Sequence, residues 1–80
     1  MKFQATILFL SIRTIRSKKN GRSYDFVSFV SEGSYYEVFS SAPDVVFDFL
    51  SGLEEPTTLT ATFEVTSSNG RASVKLVDAI

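Results

Sequence analysis

Residues 31–53, SEGSYYEVFSSAPDVVFDFLSGL, change their period halfway along. Glu32-Gly33 reads as a tight turn, and residues 34–40 (SYYEVFS) read as a short strand. From Ser41 the spacing becomes helical. Ser41 stands as N-cap, Pro43 falls in the first turn, and Asp44 lies near the positive end of the helix. Val46, Phe49, Leu50 and Leu53 follow i, i+3, i+4, i+7 spacing, which makes one apolar stripe. Gly52 terminates the helix and Pro56 prevents its continuation. One short helix therefore interrupts a chain that is strand-like on both sides, and its place in the order decides the topology.

Before this stretch, residues 3–16 are dense in Phe, Ile, Leu and Thr, with both parities apolar in places. That suits a long strand buried partly on each face and bent by a bulge. Asn20-Gly21 predicts a two-residue hairpin turn, because both turn positions want positive φ. Residues 22–31 (RSYDFVSFVS) then make a second strand. After the helix, residues 57–66 (TTLTATFEVT) alternate. Leu59, Ala61, Phe63 and Val65 share one face, and Thr58, Thr60, Thr62, Glu64 and Thr66 the other. Asn69-Gly70 predicts a further hairpin, and residues 71–78 the last strand. The fold class is mainly β, in the order β-β-β-α-β-β, within a single domain over residues 1–80. No repeat, linker or low-complexity segment divides the chain.

Turn positions set register, and register sets faces. With Glu32-Gly33 as a two-residue turn, Phe29 lies opposite Tyr36 and Val27 opposite Val38. On the other side Val30 meets Tyr35, Ser28 meets Glu37, and Phe26 meets Phe39. With Asn20-Gly21 treated alike, Ile12 falls opposite Phe29, Thr14 opposite Val27, Arg13 opposite Ser28 and Ile15 opposite Phe26. One face then holds Leu8, Leu10, Ile12, Val27, Phe29, Tyr36 and Val38, and is the expected core. The other holds Arg13, Ile15, Tyr24, Phe26, Ser28, Val30, Tyr35, Glu37 and Phe39. A core does not accept Arg13, Ser28 and Glu37 without partners, and a plain solvated face does not need four aromatics. The mixture suits a stacking platform, with π faces for bases, Arg for phosphate and Ser for hydrogen bonds. In the last hairpin the Asn69-Gly70 tip sets Val65 against Val74 and Phe63 against Leu76 inside, and Glu64 against Lys75 outside. A bulge in any of these strands would exchange the faces.

Composition narrows the chemistry. A chain of 80 residues hides only about 60–65% of the surface it would expose unfolded, so the core is small. Apolar residues make up 44%, as in a globular protein. There is no Cys and no His, which removes thiol and imidazole nucleophile systems and most zinc chemistry. The carboxylates are dispersed, no EF-hand-like loop appears, and no glycine-rich phosphate loop precedes a helix. The expectation is a non-enzyme with no cofactor, metal or small-molecule substrate. The apolar start MKFQATILFL runs into SIRTIR rather than into a cleavage site, so it reads as a strand. No apolar run approaches the roughly 18 residues of a membrane helix, and a cytoplasmic, membrane-free protein is the default expectation.

Net charge is −1, but its distribution is uneven. Arg13, Arg16, Lys18, Lys19 and Arg22 are five of the eight cations and fall within ten residues. They form one basic end, suited to phosphate contact or to a plain solvated tip.

A β-β-β-α-β-β order resembles the OB-fold, a five-stranded Greek-key barrel with a helix between strands three and four. The chain resembles small OB-fold single-stranded DNA-binding proteins of bacteriophages and mobile elements. RSKKNGRSYDFVSFV looks like their basic first turn followed by an aromatic-rich strand. YYEVFSSAPDVVFDFL looks like strand three running into the capping helix, and NGRASVKLVDAI looks like the closing strand. The resemblance implies sequence-tolerant coating of single strands in replication, recombination or DNA transfer, with self-association, often as a dimer. It implies that Lys18, Lys19 and Arg22 touch phosphates and that Tyr24, Phe26 and Phe39 stack bases. Arg71 and Lys75 would contribute from the last hairpin. RNA fits the same surface logic, since nothing here reads a 2′-hydroxyl. The alternative is a non-catalytic protein-interaction subunit whose interface is formed by Tyr24, Phe26, Tyr35 and Phe39, a surface that tolerates aromatics without requiring cations around it.

Overall fold

The computed structural model describes residues 1–80. Five strands and one helix follow the expected order: β1 Lys2–Arg16, β2 Ser23–Ser31, β3 Ser34–Ser40, α1 Asp44–Ser51, β4 Thr57–Ser68 and β5 Arg71–Ala79. The strands close into a barrel with neighbours β1-β2-β3-β5-β4, and β4 returns to β1. This is the OB-like arrangement that the sequence predicted. Closure between β3 and β5 is parallel and short. Only Phe39↔Lys75 and Ser40↔Leu76 are paired there.

β1 serves two neighbours, one on each edge, and the two pairings overlap at Leu8 and Phe9. Its first half pairs with β4 from Lys2 to Phe9, and its second half pairs with β2 up to Arg16. Between Phe9 and Ser11 the register slips at a bulge that leaves Leu10 without a β2 partner. A bulge shifts the inward parity by one. Ile7 and Phe9 point inward before it, and Ile12 packs on the core after it. This corrects the expected core. Leu8 is 37% exposed and Leu10 only half-buried, whereas Ile7 and Phe9, not expected there, are buried. Tyr36, also expected inside, is partly exposed but stacks on Phe29 at 5.5 Å. A second slip between Thr62 and Phe63 leaves Val77 of β5 unpaired, so Leu76 and Ala79 can both be buried.

Two hairpins have the expected geometry. Glu32 and Gly33 have φ of 51° and 80°, and Asn69 and Gly70 have 52° and 77°. Two consecutive positive values are what a two-residue turn matched to strand twist requires. The β2–β3 pairs and the Val65↔Val74, Phe63↔Leu76 and Glu64↔Lys75 pairs follow the expected registers.

The first hairpin departs from expectation. Arg16 pairs with Ser23, so residues 17–22 form the connection and Asn20-Gly21 is not a two-residue turn. Ser17 N–H donates to Arg22 O (2.8 Å) and Gly21 N–H to Ser17 O (3.0 Å). Only Gly21 has positive φ, at 71°. The Asn20 side chain instead accepts from Arg22 N–H (2.9 Å) and donates to the Tyr24 hydroxyl (3.0 Å), as Asn does when it organises a wider loop. Ile12 therefore faces Val27, Arg13 faces Phe26, Thr14 faces Asp25 and Ile15 faces Tyr24. Each partner lies two residues from the expected one. An even shift preserves faces, so the outward set survives the error.

Helix α1 covers the end of the barrel where β3 and β5 finish. Val46 and Leu50 join the core cluster and Leu53 packs on it. Phe49, expected in the same stripe, is 45% exposed. Pro43, not Ser41, is the N-cap, and no side chain caps the helix. Ser41 N–H is already bonded to Leu76 O (2.9 Å), which extends the β3–β5 pairing instead. The core comprises Ile7, Phe9, Val27, Phe29, Val46, Leu50, Leu59, Ala61, Phe63, Leu76 and Ala79. Phe29 and Phe63 meet at 5.2 Å across it. Burying each large apolar side chain contributes about 1.5–3 kcal/mol, so a few such rings carry much of a small domain's stability. No helix is long and apolar enough to cross a membrane.

Candidate nucleic-acid interface

The alternation of β2 and β3 settles which rings face out. Val27 is 1% exposed and Val38 packs against the core, so Phe26 and Phe39 lie on the opposite face. Phe39 is 49% exposed and Phe26 is half-buried beneath it, with ring centroids 4.6 Å apart. Tyr24 meets Phe39 edge-on at 6.1 Å. The Tyr24 ring is anchored at its hydroxyl by Asn20 from the hairpin tip. The three rings thus form one outward cluster at the basic end of the sheet, with Ile15 alongside, opposite Tyr24.

Beside the cluster the face turns polar. Arg13 Nη2 donates to both Glu37 carboxylate oxygens at 2.9 and 3.0 Å. Ser28 Oγ donates to Glu37 Oε2 (3.2 Å) and accepts from the Tyr35 hydroxyl (3.2 Å). Ser28 is the single buried polar residue, at 5% exposure, and both its bonds are made. Tyr35 is 62% exposed and stands apart from the Tyr24 cluster, toward the β2–β3 turn. Sequence reasoning placed Arg13, Ser28, Tyr35 and Glu37 on one face but did not foresee their bonding. The signal lay in the only carboxylate on a face that also carries one Arg.

The cations divide into two classes. Arg13 is paired with Glu37, and Lys75 with Glu64 at 3.5 Å. Arg16, Lys18, Lys19, Arg22, Arg71 and, at the start of β1, Lys2 are exposed and form no ion pair. The first four belong to the β1–β2 tip. Arg71 belongs to the β4–β5 tip, away from the first, because β5 runs parallel to β3 and β3 finishes beside the β1–β2 tip, with Ser40 opposite Asp25. Lys75 joins the aromatic cluster through its pairing with Phe39. A groove of about 400 Å³ opens between these parts, lined by Tyr24, Phe39, Ser40, Ser73, Lys75 and neighbouring residues.

A second opening lies inside the gap where β3 and β5 diverge. It holds about 290 Å³ and is walled by Phe3, Ala5, Ile7, Tyr36, Val38, Val74 and others, almost all apolar. Sequence reasoning missed it, because the length of the β3–β5 seam has no local signature. Comparison of the chain with protein-family models, with curated proteins and with solved structures finds no match among any of them.

Proposed function

We propose that this protein binds single-stranded DNA with tolerance of sequence, coating and protecting it during replication, recombination or transfer. The observation that carries the reading is the outward cluster of Tyr24, Phe26 and Phe39. It sits on a closed barrel and is flanked by tip cations with no internal partner. Rings of this kind accept any base, since every base has a π face, and each stack contributes about 1–3 kcal/mol. Arg16, Lys18, Lys19 and Arg22 take phosphates at one rim and Arg71 at the other. Arg13 and Lys75 contribute less charge, being already neutralised. Ser28 supports Glu37 from beneath the surface rather than touching the strand.

Titration of a labelled oligo-dT at two salt concentrations, beside duplex DNA and single-stranded RNA, tests this. About four phosphate contacts give a log–log salt slope near −3 on a single strand. Duplex binding should be weaker, because paired bases are not free to stack. A flat signal at low salt sinks the proposal.

The apolar gap between β3 and β5 favours a second reading, a protein-interaction subunit or a self-associating one. Phe3, Tyr36 and Val74 are each more than a third exposed there. In that case charge reversal at Lys18, Lys19 and Arg22 leaves association intact. Sedimentation of the wild type and the reversal variant separates the two readings.

A further inference from the structure

The middle of the outer face carries a hydrogen-bond chain of one polarity. An ionised carboxylate only accepts, so the Ser28 hydrogen goes to Glu37 and the Tyr35 hydrogen goes to Ser28. Arg13 donates to Glu37 through Nη2 alone. What remains for an incoming group follows. Arg13 keeps its Nη1 and Nε donors. Glu37 has used three of its roughly four acceptor sites and keeps capacity on Oε1. Tyr35, its hydrogen committed inward, can only accept. These groups are reachable, with the Arg13 and Glu37 side chains 57% and 32% exposed. The face therefore offers donor, acceptor, acceptor.

Building on the reading of this face as a single-strand surface, we infer that the row selects guanine at one position of the bound strand. Phe39 lies two residues from Glu37 on β3, and Phe26 two from Ser28 on β2. A base stacked on the Phe26–Phe39 pair thus has its edge beside the row. The pairing edge of guanine presents an acceptor, O6, next to two donors, N1–H and the 2-amino group, which complements the row. O6 meets Arg13, N1–H meets Glu37 Oε1, and the amino group meets the Tyr35 oxygen. Thymine sets a carbonyl against the final acceptor. Cytosine and adenine set a ring acceptor against the carboxylate. A phosphate is repelled from this place by Glu37 and passes to the rims, where the unpaired cations are. Stacking still tolerates every base, and the row adds a preference at one step.

The test is competition against labelled oligo-dT by T-tracts that carry one isolated guanine, adenine, cytosine or inosine. Wild type should prefer the guanine tract by about five-fold, with inosine, which lacks the amino group, intermediate. In Glu37→Gln the ratio of guanine-tract to T-tract affinity should fall below about two-fold. Tyr35→Phe should lower guanine to the inosine level. If Glu37→Gln fails to fold, the wild-type base series and Tyr35→Phe decide the matter. Salt-dependent T-tract binding without guanine preference, or a preference that survives both substitutions, overturns the guanine assignment and leaves the binding surface standing. Absence of binding to any strand at low salt removes the surface itself.

Discussion

The β2–β3 ribbon has two aromatic sides that differ in what surrounds their rings. Inside, Phe29 stacks on Tyr36 and packs against Phe63 from the far side of the barrel. Outside, Phe26, Phe39 and Tyr24 touch chiefly one another, and their neighbours on the face are an ion pair, a buried hydroxyl and a basic loop. Ring count alone does not separate a core from a surface built for contact. The polar residues sharing a ring's parity do, because a core would have to satisfy them and a surface does not.

The comparison breaks most readily at Phe29. Phe29→Ala should cost about 3–5 kcal/mol, a large part of the total for a domain this small, as read by urea denaturation. A loss below about 1 kcal/mol would mean that the inner side is not the core. Next comes the basic loop. Joint replacement of Lys18, Lys19 and Arg22 by Glu should weaken oligo-dT binding on the order of 100-fold and flatten the salt slope by about 2. Its melting temperature should stay near that of the wild type. An unchanged slope would detach the loop from the strand.

Phe39→Ala sharpens the contrast with Phe29. It should weaken binding by about 1–3 kcal/mol, against a change in folding stability of about 1 kcal/mol or less. Unfolding of this variant would place the outer cluster in the structural frame instead. The smallest effect is expected at Lys75, already engaged by Glu64. Lys75→Ala should change Kd by about two-fold, less than Lys19→Ala, since an exposed ion pair contributes only about 0–1 kcal/mol and leaves little charge to give up. A larger effect at Lys75 than at Lys19 would invert the division between paired and unpaired cations.

The sequence made the fold legible where chemistry is local. Glu32-Gly33 and Asn69-Gly70 need positive φ at both positions, and their hairpins came out in register. Asn20-Gly21 has the same dipeptide, yet the Asn20 side chain bonds to Arg22 and Tyr24 and organises a wider loop. The bulge at Leu10 was visible only as apolar residues of both parities in β1. Which of Leu8 and Phe9 turns inward depends on β4, more than 40 residues away, whose Thr57 and Thr58 pair with Phe9 and Leu8. Phe49 matches helical spacing, but α1 buries little beyond Val46 and Leu50. The outer aromatic set was readable because the β2–β3 turn was. The Arg13–Glu37 bond was not, since the two residues stand on strands separated by β2 and Arg13, level with Phe26, reaches diagonally past it to Glu37.

The pairing of β1 with β4 bears on how the molecule is made. Lys2 through Ile7 find their partners only in residues 59–64, so one edge of the first strand stays bare on the ribosome until most of the domain has emerged. Contacts so distant along the chain place folding in the slow, millisecond-to-second regime of small β proteins. During that wait the exposed edge, with Phe3 and Ile7 along it, is the segment most open to mispairing with a neighbouring nascent chain.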